Sequence, residues 1–275
     1  MRNWILLGLI LLPFIGVSQR YKAATEMGVF GGGGYYIGDL NPNKHFIYSK
    51  PAFGAIFRYN LTTRLSLRAT GTYGSVYGSD ADSDDLYQIN RNLSFSSKIL
   101  ELAFGLEIDM FKYRISDMKY PITPYFFYEA AYMRMNPVAQ DEFGNEVSLN
   151  SLGTEGQGTA LSDKNPYKLN QFTIPLGIGV KFNLRERIAV SLEYGIRKTF
   201  TDYLDDVSGN YVDANALGAL NGPLAAQLSD PSLDGAPRAG GNRGNSSTKD
   251  WYSFYGVMLT FKPFKKDICD FQGAF

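Results

Sequence analysis

Residues 187–200, which read Arg-Ile-Ala-Val-Ser-Leu-Glu-Tyr-Gly-Ile-Arg-Lys-Thr-Phe, constrain the fold of this chain more than any other segment. Large apolar side chains occupy every second position, and Glu193 and Arg197 lie on the opposite face. Because side chains alternate between two faces along a strand, the pattern predicts one apolar and one charged face. Strands of soluble domains usually have about 5–6 residues, whereas a membrane-crossing strand needs roughly 9–11. The segment therefore favours a strand that crosses a membrane.

Eight segments carry such strand patterns, at 25–38, 51–61, 64–76, 96–110, 122–135, 169–183, 186–200 and 250–262. The connections after the odd-numbered strands are long and polar, at 39–50, 77–95, 136–168 and 201–249. The other connections are two tight turns and one medium segment, at 60–63, 183–186 and 111–121. This asymmetry is typical of outer-membrane barrels. We predict an all-β fold, an antiparallel up-and-down transmembrane β-barrel of eight strands, with ten as the alternative because 201–249 could hold a hairpin.

A soluble β-sandwich exported to the periplasm is the rival fold, since its apolar strand faces would form the core. Strand length and loop asymmetry favour the barrel. So does the placement of aromatic residues near strand ends, where the membrane interfaces of a barrel carry aromatic girdles. These residues are Tyr35, Tyr36, Phe53, Tyr59, Tyr73, Tyr125, Tyr132, Trp251 and Tyr252.

The N-terminal residues predict export. A positive residue, a short apolar run and a small-x-small pattern indicate a signal peptide at 1–18. Residues 19–275 are then a single barrel domain, with a long outer loop at 201–249 and a periplasmic tail at 263–275. We expect a multi-pass protein in the outer membrane of a Gram-negative bacterium. An even number of strands places both termini in the periplasm.

The charged strand faces point inward in such a barrel, and the interior of eight strands is just wide enough to be filled by side chains. Opposite charges must pair there, because an unpaired buried charge is costly. We predict a plugged lumen, with Glu26 beside a charge network of Arg58, Arg68, Glu101, Glu107, Glu129, Lys181, Glu193 and Arg197.

Little in the chain predicts enzyme chemistry. His45 is the only histidine and has no convincing nucleophile nearby, so we expect no enzyme, no catalytic residue and no cofactor. The 27 basic residues balance the 27 acidic ones, which gives no reason to expect a nucleic-acid partner. Asp202, Asp205 and Asp206 are candidates for a weak calcium site, and the acidic segment 80–85 is another. Cys269 has no intramolecular partner.

Several blocks resemble one known family. They lie at 26–42, 91–95, 100–102, 123–125, 152–158, 174–181 and 197–208. The most distinctive of them reads Arg-Lys-Thr-Phe-Thr-Asp-Tyr-Leu-Asp-Asp-Val-Ser. In this order the blocks resemble the PorG-like outer-membrane family, and the positions that carry the resemblance best are Tyr36, Gly38, Asp39, Arg91, Thr199, Asp202 and Tyr203.

The resemblance implies a non-enzymatic outer-membrane component of the type IX secretion system. Its partners would be outer-membrane lipids and the proteins of a periplasmic ring, contacted through 60–63, 111–121, 183–186 and 262–275. The Asp block at 202–206 is expected to fold over the barrel mouth or to cap the strand end by Asx turns. The alternatives are a small-solute porin or receptor barrel, an uncharacterised paralogue with the same barrel, and a membrane-embedded hydrolase that uses His45.

Overall fold

The computed structural model describes residues 23–185 and 187–263. Eight long strands dominate it, and two short strands lie between the fifth and sixth of them. The long strands are β1 (Ala24–Ile37), β2 (Lys50–Asn60), β3 (Leu65–Ser79), β4 (Ser94–Asp109), β5 (Ile122–Arg134), β8 (Asn170–Arg185), β9 (Ile188–Thr199) and β10 (Trp251–Phe261). Their bounds agree with the predicted strands to within three residues.

The eight long strands form one closed antiparallel sheet in which each strand pairs with its neighbours in the order β1-β2-β3-β4-β5-β8-β9-β10. The last strand returns to the first, with Met27 opposite Phe261 and Ile37 opposite Trp251. Gly32 lies at this closure, where an added Cβ would come within 1.9 Å of the Tyr255 carbonyl oxygen, so the backbones approach too closely for a side chain. The prediction of an eight-stranded barrel is confirmed, and the sandwich alternative is wrong because the sheet closes on itself.

The two ends of the barrel differ. One end, here the long-loop end, carries residues 38–49, 80–93, 135–169 and 200–250. The other, the short-turn end, carries residues 61–64 and 110–121, the turn at Arg187 and both barrel termini. The predicted loop asymmetry is confirmed.

An additional hairpin exists, but it lies in the third long loop instead of the fourth. Strands β6 (Pro137–Gln140) and β7 (Glu146–Ser148) extend the wall beyond Ser96 and Ser97 of β4 without widening the barrel. The fourth loop holds two helices, α3 (Ala214–Asn221) and α4 (Pro223–Ser229), and the shorter α1 (Leu86–Arg91) and α2 (Leu149–Leu152) lie in the second and third loops. Among the described residues, no helix has the length and apolar character to cross a membrane.

The wall has its apolar side chains outside and its charged side chains inside. In β4, Leu102 and Phe104 are 61% and 60% exposed, whereas Glu101 and Glu107 of the same strand are fully buried. A soluble protein has the opposite arrangement, because exposed apolar area is unfavourable in water. The wall of the barrel is therefore built to face lipid, which is the arrangement of a transmembrane β-barrel.

The apolar core lies at the long-loop end, inside the barrel mouth and under the loops. Tyr36, Phe95, Ile99 and Met133 point inward from the strands and pack against loop residues such as Leu204. Below this layer, toward the short-turn end, the interior is filled by charged and polar side chains. The barrel thus contains an apolar layer and a charged layer along its axis.

The girdle prediction is wrong for three of its aromatic residues, since Tyr36, Tyr125 and Tyr252 are buried inside the barrel. Tyr35 has the outward phase of Val29 and is buried against His45 and Phe46 of the first loop. Phe53, Tyr59, Tyr73 and Tyr132 are exposed as a girdle requires. Position near a strand end does not decide whether a tyrosine faces inward; the phase of the strand and the loops above it do. The predicted signal peptide, most of the tail and Cys269 lie outside the described residues.

Candidate functional site

The charged lumen is organised around Glu107. Arg58 Nε and Arg68 Nη1 donate to its Oε2 atom at 2.9 and 3.0 Å, and the Lys181 ammonium contacts its Oε1 atom. Lys181 also lies 2.9 Å from an oxygen of Asp109. Three cations on three different strands therefore converge on one carboxylate, which is satisfied only when the barrel is closed.

Arg68 connects this centre to the opposite wall. Its guanidinium donates to both oxygens of Glu193, at 2.9 and 3.1 Å, and to Glu129 at 3.2 Å. The guanidinium also lies over the ring of Phe127, 4.1 Å from its centroid. The side chain is 1% exposed. A planar cation of this kind bridges several carboxylates at once, so Arg68 is the central cation of the network.

A second group of contacts lies nearer the long-loop end. Arg197 Nε is 3.4 Å from Glu101, whose other oxygen accepts a 2.5 Å hydrogen bond from the Tyr252 hydroxyl. The Arg197 guanidinium also donates to the Gly195 carbonyl at 2.7 Å and lies over the ring of Phe254. Aromatic rings and ion pairs together fill this level of the lumen.

All eight residues of the predicted lumen network face inward, and the structure joins them in these ion pairs. Glu26, also expected there, lies 3.6 Å from Arg58 and accepts a hydrogen bond from Asn60 at 2.7 Å. The sequence reasoning left out Asp109, which follows Glu107 at the strand period and could have been found from that alternation. It also left out Tyr125, whose hydroxyl donates to Glu193 at 2.7 Å.

The short-turn mouth of the lumen is covered by residues 110–121. Tyr113 and Ile115 of this segment are buried against the barrel interior. The Tyr113 hydroxyl donates to Asn183 at 2.6 Å, and its backbone N–H donates to the Thr63 carbonyl at 2.9 Å. Burial raises the pKa of the Tyr113 phenol well above its ordinary value, so it remains a neutral donor. The segment ties three turns together across the opening.

The long-loop mouth is covered by the four long loops, together called the loop cap (residues 38–49, 80–93, 135–169 and 200–250). Arg91 is one of its two central cations. Its guanidinium forms two 2.7 Å hydrogen bonds to Asp80 and donates to the backbone carbonyls of Arg243 and Asp39 at 2.7 and 3.0 Å. One side chain therefore joins the first, second and fourth loops.

Arg243 is the other central cation and is 1% exposed. It donates to the carbonyl of Ser229 at 3.1 Å and lies 3.4 Å from Glu155 and 3.6 Å from Asp206. Glu155 in turn accepts backbone N–H groups of Ser208 and Gly209 at 2.8 and 2.9 Å. These contacts hold the third loop against the fourth.

The Asp block at 202–206 forms the inner layer of the cap. The Tyr36 hydroxyl donates to Asp205 and lies 3.3 Å from Asp250, which also accepts the N–H of Leu204 at 2.9 Å. Asp205 accepts the N–H of Val207 at 2.9 Å, which is an Asx turn. The block therefore forms an ordered loop over the mouth. Its Asx turn lies inside that loop and not at the end of β9, which is Thr199.

Burial controls the acidity of this layer. It raises the pKa of Asp206 to about 6, although Arg243 and the hydroxyls of Thr154 and Tyr167 act in the opposite direction. Burial and the neighbouring Asp250 raise the pKa of Asp205 well above its ordinary value. The cap therefore favours protonated carboxyls, and closing it is coupled to proton uptake.

The seven positions that carry the family resemblance meet in the loop cap. Besides Tyr36 and Arg91, Asp39 accepts the N–H of Asn245 at 2.9 Å, and the Thr199 hydroxyl donates to the Asp250 carbonyl at 2.6 Å. An added Cβ at Gly38 would lie 2.1 Å from the Tyr36 hydroxyl.

The other two of the seven lie in the fourth loop. Tyr203 stacks on Tyr167 with ring centroids 4.7 Å apart and donates to Glu155 at 3.1 Å. Asp202 is 4% exposed, and burial raises its pKa to about 6. These positions are separated along the chain, and the closed loops bring them together.

The sequence matches one protein family over residues 5–222, described as "Domain of unknown function (DUF6089)". The chain belongs to this family. A comparison with curated proteins gives no match. Among solved structures, the chain is similar to Ail of Yersinia pestis in complex with a heparin analogue (7% identity, TM-score 0.42, 88% of this chain and 99% of that chain covered).

Two further solved structures are similar at the same level. Neisserial surface protein A has 9% identity and a TM-score of 0.42, with 88% of this chain and 99% of that chain covered. OprG of Pseudomonas aeruginosa has 12% identity and a TM-score of 0.38, with coverages of 88% and 98%. The strand pairing of this chain itself establishes its fold.

The three aspartates considered for calcium point to different partners. Asp205 faces Tyr36, Asp206 faces Thr154 and Tyr167, and Asp202 has one oxygen without a hydrogen-bond partner. Within residues 23–185 and 187–263, no group of three or more His, Cys, Asp or Glu side chains is arranged to hold a metal ion. Calcium binding stays a prediction. His45 lies in the first loop, where its Nδ1 atom is 3.0 Å from the Tyr35 hydroxyl.

Glu155 and Arg243 are cap residues that the sequence reasoning did not select. Glu155 lies inside one of the family-like blocks, at 152–158, and that block was the available signal. Arg243 lies in a polar stretch of Gly, Asn and Ser residues. Nothing in its local pattern separates it from a solvated loop arginine.

Proposed function

We propose that this protein is a non-conducting outer-membrane barrel that serves as a scaffold of the type IX secretion apparatus. The short-turn end would face the periplasm, with both termini there, and would contact the periplasmic ring. The observation that carries the proposal is the closed lumen. A pore or solute channel needs an open path, whereas this interior is filled by paired charges and covered at both ends.

The outer-membrane location is supported by the wall. Its outward side chains are apolar in the middle of the long strands, and its backbone polar groups pair within a closed sheet, as lipid requires. The long-loop and short-turn ends match the outer and periplasmic sides of such barrels. The secretion role is supported by the family-like blocks, whose best positions lie in the loop cap or, for Tyr36 and Thr199, on the strand ends that contact it.

Planar-bilayer recording tests the closed lumen. We expect the purified full-length protein to show no large stable channels. The alternative of a small-solute porin predicts such channels, and their appearance would overturn the scaffold proposal. A variant such as Arg68→Gln serves as a positive comparison, since loss of the central cation is expected to loosen the packing of the lumen.

Crosslinking in intact cells tests the partner. A photoreactive residue at Phe111 or Lys119, both exposed on the short-turn end, should recover periplasmic ring proteins. The matched control is the same residue at Lys168, exposed on the loop cap. Recovery from the cap position alone, or from neither end, would argue against this orientation and this role.

A further inference from the structure

The charges of the chain are separated between the two ends of the barrel. The loop cap contains 17 Asp and Glu against 7 Lys and Arg. At the other end, residues 61–64, 110–121, 184–185, 187 and 262–263 contain 7 Lys and Arg against one acidic residue, Asp117. These seven cations are here called the basic rim. The overall balance of 27 basic and 27 acidic residues conceals this polarity.

The cations of the basic rim are available to a ligand. Within the part of the chain that the structure describes, none of the seven forms an ion pair. Arg64, Lys112, Lys119, Arg185 and Arg187 are exposed. The four lumen cations, in contrast, all have carboxylate partners.

Three of the rim cations are crowded together where β10 ends. Arg187 donates to the Lys262 carbonyl at 2.9 Å and to the Pro263 carbonyl at 3.1 Å, which positions it against that end. The Lys262 ammonium donates to the Ser116 hydroxyl at 3.4 Å. Partial burial, then the charges of Arg114 and Arg187, lower the pKa of Lys262. An anion bound here would reduce the repulsion among these three cations and would lie beside the Ser116 hydroxyl.

The arrangement of the rim decides what kind of anion fits. The cations lie on all three turns and at the end of β10, so they follow the circumference of the barrel. Exposed apolar side chains continue the lipid-facing wall directly beside them, including Leu61, Met110, Phe111 and Leu184. A lipid leaflet surrounds the barrel and presents phosphates at this level, whereas a docked protein would contact one side.

We propose that the basic rim binds the phosphate headgroups of anionic phospholipids, with Arg114, Arg187 and Lys262 forming its strongest site. The bound headgroups fix the depth and tilt of the barrel at its short-turn end. The acidic loop cap repels the same headgroups and stays out of that leaflet. This inference concerns lipid and holds whether or not the barrel serves in secretion.

The test is a lipid titration of the full-length protein in neutral detergent, followed by native mass spectrometry. The probes are phosphatidylglycerol and phosphatidylcholine. We expect phosphatidylglycerol to bind more tightly, and Arg114→Gln/Lys262→Gln to weaken its binding by about thirtyfold, since each of the two cations contributes roughly 1 kcal/mol near such a surface. High salt should weaken it in the same direction.

The matched control is Lys168→Gln/Lys249→Gln, which removes two exposed cations from the loop cap and should leave the affinity unchanged. Both variants are first checked for heat-modifiable migration, which reports the folded barrel. Equal binding of the two lipids, or equal weakening in the control, would overturn the proposal.

Two added competitors separate the other sources of negative charge. Displacement by equimolar inorganic phosphate would indicate a free-anion site, and displacement by polyglutamate without a preference for phosphatidylglycerol would indicate an acidic protein partner.

Discussion

The charged lumen and the loop cap are both buried polar networks, but they are held in different ways. In the lumen, every charged side chain stands on a strand. Glu26 and Arg58 lie opposite each other on paired strands, and most other partners meet across the lumen, as Arg68 of β3 meets Glu193 of β9. In the cap, Arg91 donates to backbone carbonyls of the first and fourth loops, and Arg243 joins a carbonyl of its own loop to Glu155 of the third. The lumen network therefore depends on closure of the sheet, whereas the cap network itself determines how the loops close.

Because of this difference, the global stability of the barrel and the closure of the loop cap depend on different contacts. An ion pair in the lumen cannot separate without disturbing the wall, because its buried side chains would not be hydrated after separation. The cap can open as a unit, since its segments are loops with their own local turns. Changes in the lumen should act on global unfolding, and changes in the cap should act on local opening.

The largest effect is expected from Arg68→Gln. It leaves Glu107, Glu129 and Glu193 without their shared cation, which should cost roughly 5 kcal/mol of global stability. Urea unfolding of the reconstituted protein measures this. Arg134→Gln, which removes an exposed arginine from β5, is the control and should change little. A loss confined to the loops, with an unchanged unfolding midpoint, would contradict the distinction between the two networks.

Arg243→Gln should have the next largest effect, and it should be local. The substitution removes the cation that faces Glu155 and Asp206 and should cost on the order of 3 kcal/mol of cap closure. Limited proteolysis should then cut within 200–250 while the barrel still migrates as a folded species. Lys249→Gln, in the same loop but exposed, should resist cleavage like the parent protein. If Arg243→Gln lowers the global midpoint as much as Arg68→Gln does, the cap is part of the barrel's cooperative unit.

The pH dependence of cap closure should be smaller than the effects of the two arginine substitutions, and the raised pKa values of the aspartates set its sign. The Asp206 carboxyl has a pKa of about 6 in the closed cap against an ordinary 3.8. Between these values the closed cap holds a proton that the open cap releases, so closure weakens as pH rises from about 4 to about 6, by on the order of 2 kcal/mol. Asp205 and Asp250 shift in the same direction.

Hydrogen exchange at the amides of Ser208 and Gly209, corrected for intrinsic rates, measures this effect. Protection should be lower at about pH 7.5 than at about pH 4.5. Asp206→Asn should reduce the difference, and amides of β4 should show none. Greater protection at the higher pH would contradict the raised pKa of the Asp block.

The smallest effect is expected where a pair belongs to neither network. Lys98 and Glu146 form an ion pair at 3.4 Å with side chains 61% and 54% exposed. Lys98→Gln should change stability by no more than about 0.5 kcal/mol, because solvent screens such a pair. Calorimetric unfolding measures it, and a larger loss would show that the β6–β7 hairpin contributes to the wall.

Most of the barrel was predictable from the sequence, because its signal is local. Alternation in β4 places Leu102 outside and Glu101 inside, and the same period assigns Lys181 and Glu193 to the lumen. The lengths of the connections then predict which of them lie at the same end of the barrel. Position near a strand end did not predict the tyrosines. Tyr125 has the phase of Glu129 and Tyr252 that of Phe254, so both face inward, where their hydroxyls donate to Glu193 and Glu101.

The sequence alone determined the strands, the faces of the wall and the asymmetry of the connections, since each follows from a period of two and the lengths between strands. Only the tertiary structure decided how the four loops close, because Arg91 and Arg243 find their partners on segments far apart in the chain. It also decided the separation of charge between the two ends. A net charge of zero is a sum over the chain, whereas the acidic loop cap and the basic rim arise from which connections the closed barrel brings to the same end.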